Sequence, residues 1–262
     1  MAAPVTPASL VAARDTAPIL AVSGLEKRFR KTVAVAGLDL TIRPGELLGL
    51  IGPNGAGKST TVKMITGQLL ADRGRILVAG HDIVAEPLAA KRLIGYVPQD
   101  VALYPFLTGR ELLEFVAEVR GVPAAEARAT IDALLARFRI SDAQNRMTRE
   151  YSEGMARKLA IAAALIGSPP LLLLDESLNG LDPRAAAEVK AILRDELARG
   201  TAVVLVSHIL DVLERLCTHV VLIDHGRVVE SLDRAALNAL TAAGTTLEDF
   251  FIAHTADDVP ES

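Results

Sequence analysis

The sequence predicts a layered α/β fold in which a parallel sheet is covered by helices and an all-helical lobe is inserted into the chain. From residue 18 onward, short apolar and β-branched runs alternate with helical periods. Four of those runs, Leu47 to Ile51, Leu171 to Leu174, Ala202 to Val206 and Val220 to Ile223, are continuously apolar. Strands buried on both faces read that way, so the four are expected to be neighbours in one parallel core. Between residues 105 and 167 the strand signal disappears and helical periodicity takes over.

In chain order, the first 17 residues are rich in alanine and proline, with no early basic cluster and no long apolar segment. They are predicted to be a disordered tail, not a signal peptide. "ILAVSGL" and "LDLTI" read as strands, followed by "ELLGLIG", "RILVAG" and "LIGYVPQ". Thr108 and Glu111 form the T-x-x-E pattern of a capping box, which places a helix start there. Leu112, Phe115, Val116 and Val119 then share one predicted helical face. A second helix is expected from about Pro123, burying Ile131, Leu134, Leu135 and Phe138, followed by a polar stretch to Glu150. "LAIAAALIG" followed by Ser168, Pro169 and Pro170 reads as helix, turn, then the leucine strand. Residues 236–262 are expected to form a helical extension in which "TTLEDFF" is an amphipathic helix.

Composition weighs against several classes of function. Apolar residues make up 50% of the 262, yet no run reaches the roughly 18 uninterrupted apolar residues of a spanning helix. A net charge of -4 lacks the basic balance of a nucleic-acid binder. The single cysteine, Cys217, rules out an internal disulfide and a multi-cysteine zinc site, and fits a reducing compartment.

The stretch "GPNGAGKST" runs Gly52, Pro53, Asn54, Gly55, Ala56, Gly57, Lys58, Ser59, Thr60 and follows a buried strand. That is G-x-x-x-x-G-K-[ST] in the context the pattern requires. Its glycines let the backbone wrap an anion, so that successive N–H groups and the next helix start face phosphates. Lys58 is expected to reach the β- and γ-phosphates, and the Ser59 hydroxyl to ligate Mg²⁺. "LLLLDES" ends a second buried strand in two adjacent carboxylates, Asp175 and Glu176. Like charges so placed need a positive partner. Ligands sit at the carboxyl ends of parallel strands, so a Mg-nucleotide held by the glycine-rich loop would supply it. Asp175 is then expected to hold Mg²⁺ and Glu176 to orient or deprotonate the attacking water. Without nucleotide, at least one carboxyl of the pair is expected to have a raised pKa.

A third stretch, "YSEGMARK", opens a helix with Ser152 as its N-cap and Gly154 in the first turn. Read with its neighbours it resembles the L-S-G-G-Q signature of the ATP-binding cassette (ABC) ATPases. The resemblance extends over nearly all of residues 18–235. "IGYVPQD" ends in Gln99 like the family's Q-loop, "NGLDP" carries Asp182 like its D-loop, and "VLVSH" puts His208 where its switch histidine stands. Phe29 occupies the place of its adenine-stacking aromatic.

The resemblance implies a P-loop NTPase (RecA-like) core with an antiparallel β subdomain and an inserted all-helical lobe. It further implies ATP and Mg²⁺ as ligands and a head-to-tail pair of cassettes, the same chain twice or a sister chain. Ser152 and Gly154 would bind the γ-phosphate of the other subunit, and Asp182 would communicate across the dimer. His208 would contact the γ-phosphate in cis, and Gln99 would sense metal and water. Glu153, Met155, Ser177 and Leu178 depart from the family pattern, and Glu153 is expected to point away from the triphosphate because a carboxylate beside it would be repelled.

A single cassette without a spanning helix implies a separate transmembrane permease, with the cassette cytoplasmic and peripheral on the inner membrane face. "YPFLTGRELLEF", "YSEGM" and "TTLEDFFIAHT" look like cassettes of exporters. The other readings are a cassette acting on nucleic acid or ribosomes, disfavoured by the absence of tandem cassettes, coiled coils and zinc modules, and a regulatory cassette, disfavoured by Glu176 and His208.

Overall fold

The computed structural model describes residues 17–255. Residues 1–16 of the expected tail and 256–262 of the expected extension lie outside the described residues. Strands β1 (Leu20–Phe29) and β2 (Thr32–Ile42) form an antiparallel ribbon, and β4 (Arg73–Val78) and β5 (His81–Asp82) extend it to the order β2-β1-β4-β5. A second, six-stranded sheet is built from β3 (Leu47–Ile51), β6 (Ile94–Val97), β7 (Leu171–Asp175), β8 (Ala202–Val206), β9 (His219–Asp224) and β10 (Arg227–Asp233). Its order is β10-β9-β3-β8-β7-β6, parallel throughout except for edge strand β10. The four continuously apolar runs are therefore consecutive neighbours.

Their composition follows from what lies on each side. Leu171 and Leu173 face one apolar cluster, together with Leu48, Leu50, Val204 and Val206 and the antiparallel sheet. Leu172 and Leu174 face a second cluster with Leu47, Ile51, Val203 and Leu205 and the helices. Side chains alternate across a strand, so a strand with a core on both faces has no position for a polar residue until it leaves the sheet.

Helix α1 (Lys58–Ile65) follows β3 directly, and the short α2 (Pro87–Arg92) precedes β6. The inserted helices are α3 (Gly109–Arg120), α4 (Ala124–Arg137) and α5 (Glu153–Leu165), then α6 (Pro183–Ala198) and α7 (Leu210–Leu216) alternate with the last parallel strands. Helices α8 (Arg234–Ala242) and α9 (Leu247–Thr255) close the described chain, with Leu237 and Leu247 buried in the helix-side cluster.

The α3 start is the expected capping box: Thr108 Oγ1 accepts from the Glu111 N–H at 3.2 Å, and the Thr108 N–H donates to Glu111 Oε2 at 2.8 Å. Its buried face differs from the expected one. Leu112, Leu113 and Ala117 are buried, whereas Phe115 and Val119 are exposed and Phe115 packs edge-on against Tyr104, ring centroids 5.7 Å apart. Helical spacing marks two adjacent apolar stripes on α3, and packing against α4 and α5 selects one. Ile131, Leu134, Leu135 and Phe138 are buried as expected.

Candidate nucleotide and metal site

Four adjacent parallel strands end on one cleft. The loop after β3 contributes Asn54, Gly55 and Gly57, and the first turn of α1 contributes Lys58, Ser59 and Thr60; β8 leads to His208, β7 to Asp175 and Glu176, and β6 to Gln99. The cleft holds about 420 Å³ and all of these residues line it. A larger groove, about 620 Å³, lies between the β4–β5 hairpin and the end of α1, away from this convergence.

The glycine-rich loop is shaped by close backbone approaches. Gly52 and Gly57 have φ of 155° and 104°, and a Cβ at either would collide with the carbonyl oxygen of Ile223 or Ala34. The hairpin after β9 braces the loop, since the Gly226 N–H donates to the Ala56 carbonyl at 3.0 Å. Lys58 Nζ donates to the loop's own carbonyls, Gly52 O at 2.6 Å and Pro53 O at 2.9 Å. Burial lowers the Lys58 pKa, against the opposing pull of Glu176 and Asp175.

Asp175 is buried as the last residue of β7, and its Oδ1 has no hydrogen-bond partner. Burial first, and Glu176 second, raise its pKa, while Lys63 and Lys58 oppose them. The raised carboxyl expected of the pair is therefore Asp175. Glu176 stands on a strained backbone, φ 50°, and its Oε2 accepts from Asn179 Nδ2 at 2.7 Å and lies 2.9 Å from His208 Nδ1.

No cluster of three or more His, Cys, Asp or Glu side chains capable of holding a metal occurs among the described residues. Mg²⁺ does not require one, because it keeps waters and binds through one or two carboxylates and substrate phosphates. The orphaned Asp175 oxygen, with Ser59 and Gln99 on the same cleft, fits such an ion.

The remaining expected site residues stand outside the cleft lining. Phe29 ends β1, half exposed, with Lys27 Nζ 5.6 Å from its ring centroid. Ser152 caps α5, its Oγ accepting from the Met155 N–H at 3.3 Å, and Gly154 lies in the first turn. Asp182 caps α6 by accepting from the Ala185 N–H at 2.9 Å. The Glu153 side chain is exposed and pairs with Arg157 at 3.0 Å. No motif position marks Asn179 or Arg157 in the sequence. The only local signals were the spacing of Asn179 three residues after Glu176 and of Arg157 four after Glu153.

The family described as "ABC transporter" matches residues 35–179, more than half of the chain. The chain belongs to that family. The ABC cassette is 42% identical over 215 residues to the daunorubicin resistance ATP-binding protein DrrA3 of Streptomyces coeruleorubidus, covering 82% of this chain and 67% of the relative. It is 41% identical over 231 residues to the human phospholipid-transporting ATPase ABCA7, covering 87% of this chain but 11% of that much longer protein. Among solved structures, one described as the ATP-binding subunit of an ABC transporter superposes with a TM-score of 0.85 at 31% identity, covering 90% of this chain and 99% of its own. The cassette is thus an ATPase of the ABC family with the P-loop NTPase fold, and its relatives include ATP-binding transporter subunits.

Proposed function

We propose that this cassette is the ATP-hydrolysing subunit of an exporter whose membrane-spanning part is a separate chain, acting at the inner face of the membrane. The observation that carries this reading is the convergence of the glycine-rich loop, His208, the Asp175–Glu176 pair and Gln99 at the ends of adjacent strands β3, β8, β7 and β6. A transport role is supported by the phospholipid-transporting relative, and the export direction by a relative named Nod factor export ATP-binding protein I. No helix among the described residues is long and apolar enough to cross a membrane.

In this reading the N–H groups of the loop and of the α1 N-terminus bind the triphosphate, and Lys58 leaves its loop carbonyls for the β- and γ-phosphates. Ser59, Asp175 and Gln99 would hold Mg²⁺, which when bound neutralises charge on the phosphate oxygens. Glu176 accepts a proton from water as the water oxygen bonds to the γ-phosphorus and the bond to the β-phosphate oxygen breaks, releasing ADP and phosphate. His208 and Asn179 keep the carboxylate aimed. Phe29 would stack on adenine. Ser152, Gly154 and Asp182, outside the cleft of their own cassette, would serve the site of a second cassette in a head-to-tail pair.

The permease would meet the exposed apolar patch around α3. Tyr104, Phe106, Phe115 and Val119 are all exposed there, Phe106 by 74%. Exposed aromatics grouped in this way mark an interaction surface. Expression in membranes followed by detergent extraction tests the proposal. A polytopic partner should co-purify with the chain and be lost on Phe106→Ser with unchanged thermal stability. Recovery with ribosomes or DNA instead would overturn the transport reading.

A further inference from the structure

A buried guanidinium joins the start of α5 to the loop that presents Glu176. Arg157 is only 7% exposed. Its Nη1 donates to the Glu176 carbonyl oxygen at 2.9 Å, and its Nη2 to Glu153 Oε1 at 3.0 Å. The carbonyl it grips belongs to a residue at φ 50°, a conformation that is strained for a non-glycine residue and persists only where neighbours enforce it. The Glu176 N–H is anchored separately, to the Val206 carbonyl at 2.9 Å. The next residue contributes no side-chain anchor: Ser177 is fully buried and its Oγ has no partner.

Glu153 closes the arrangement from the outside. Its carboxylate pairs with Arg157 along the helix and also sits against the far end of the same loop, 2.9 Å from where a Cβ at Gly180 would stand. Arg157 thus lies between one acceptor that is the backbone of Glu176 and another that is the first residue of α5. The fork geometry of a guanidinium suits this, since it can donate in two fixed directions where an ammonium acts as a point charge.

We infer that Arg157, held by Glu153, is a positioning residue for ATP hydrolysis: it fixes the peptide plane after Glu176 and so the direction of the carboxylate toward the attacking water. This rests on the reading of Glu176 as the water-activating group. Because Glu153 adjoins Ser152, the same contact ties the helix start that would receive a second cassette's nucleotide to this cassette's own hydrolytic carboxylate.

Steady-state ATPase assays on the purified full chain test this. Arg157→Met should lower kcat by roughly 10- to 100-fold, the scale of a misplaced catalytic group, with KM for ATP within about twofold of wild type. Arg157→Lys should recover part of that loss, because one donor can still reach the carbonyl. In a Glu176→Gln background, adding Arg157→Met should trap as much ATP-bound dimer as Glu176→Gln alone. An unchanged kcat in Arg157→Met, a rise in KM that accounts for the lost activity, or loss of dimer trapping would each overturn the inference. Should Arg157→Met fail to fold, Glu153→Ala decides, since that residue is exposed: kcat should fall by a few fold at constant KM, and an unchanged kcat sinks the proposal. A wild-type-like rate in Glu176→Gln by itself would instead remove the reading on which it rests.

Discussion

His208 Nδ1 lies 2.9 Å from Glu176 Oε2, the same oxygen that accepts from Asn179 Nδ2 at 2.7 Å. Neighbouring strands β7 and β8 end side by side, Asp175 opposite Val206, which brings residues 32 positions apart in the chain onto one carboxylate oxygen. Glu176 is therefore oriented at its backbone by Arg157 and at its side chain by Asn179 and His208.

Removing the imidazole should disturb catalysis more than binding. His208→Ala is expected to lower kcat by roughly 10- to 100-fold, the worth of a hydrogen bond to a charged group, while nucleotide affinity is largely kept. Equilibrium binding of a fluorescent ATP analogue alongside steady-state hydrolysis separates the two.

Glu176→Gln should keep ATP binding, reduce turnover by about 10² to 10⁴, and accumulate an ATP-bound dimer visible by size-exclusion chromatography. Hydrolysis at the wild-type rate would remove Glu176 as the general base.

Lys58→Ala should weaken nucleotide binding and hydrolysis together. The ammonium is half-buried beside two carboxylates, and its loss leaves both them and the triphosphate without the charge that balances them. Titration calorimetry with Mg-ATP showing unchanged affinity would count against the phosphate-binding role of the loop.

Asp175→Asn should separate stability from function. Burial raises the Asp175 pKa, so the folded chain holds this proton more tightly than the unfolded chain does. Ionised Asp175 therefore costs stability at neutral pH, and the cost fades as pH falls through the raised pKa toward the ordinary aspartate value. The variant should therefore be more stable than wild type without nucleotide at pH 7, by on the order of 1 kcal/mol or about 2–4 °C in Tm, with the gap narrowing in acid. Its Mg²⁺-dependent hydrolysis should be lost. A lower Tm at neutral pH, measured by calorimetry, would contradict the burial argument.

Much of this molecule is legible in short windows of sequence because the determining physics is local. The glycine-rich loop, the capping box of Thr108 and Glu111, and the N-cap Ser152 depend on residues within a few positions of one another. The four buried strands are equally legible, since a strand between two apolar layers must be apolar at every position. Within α3 the same logic reached its limit: spacing shows that a helix is amphipathic, but the choice of Leu112, Leu113 and Ala117 over Phe115 and Val119 was made by the helices packed against it.

Sequence alone determined the phosphate-binding loop, the acids at the end of the leucine strand and the family that joins them. Only the tertiary structure decided how Glu176 is held, because its partners come from three separate elements: Arg157 from α5, His208 from the end of β8, and Asn179 from the turn of its own loop. The physical reason is that a strained backbone at φ 50° and a buried serine hydroxyl without a partner are not favoured by local chemistry. They persist because the surrounding packing, assembled from distant parts of the chain, leaves the loop no better conformation.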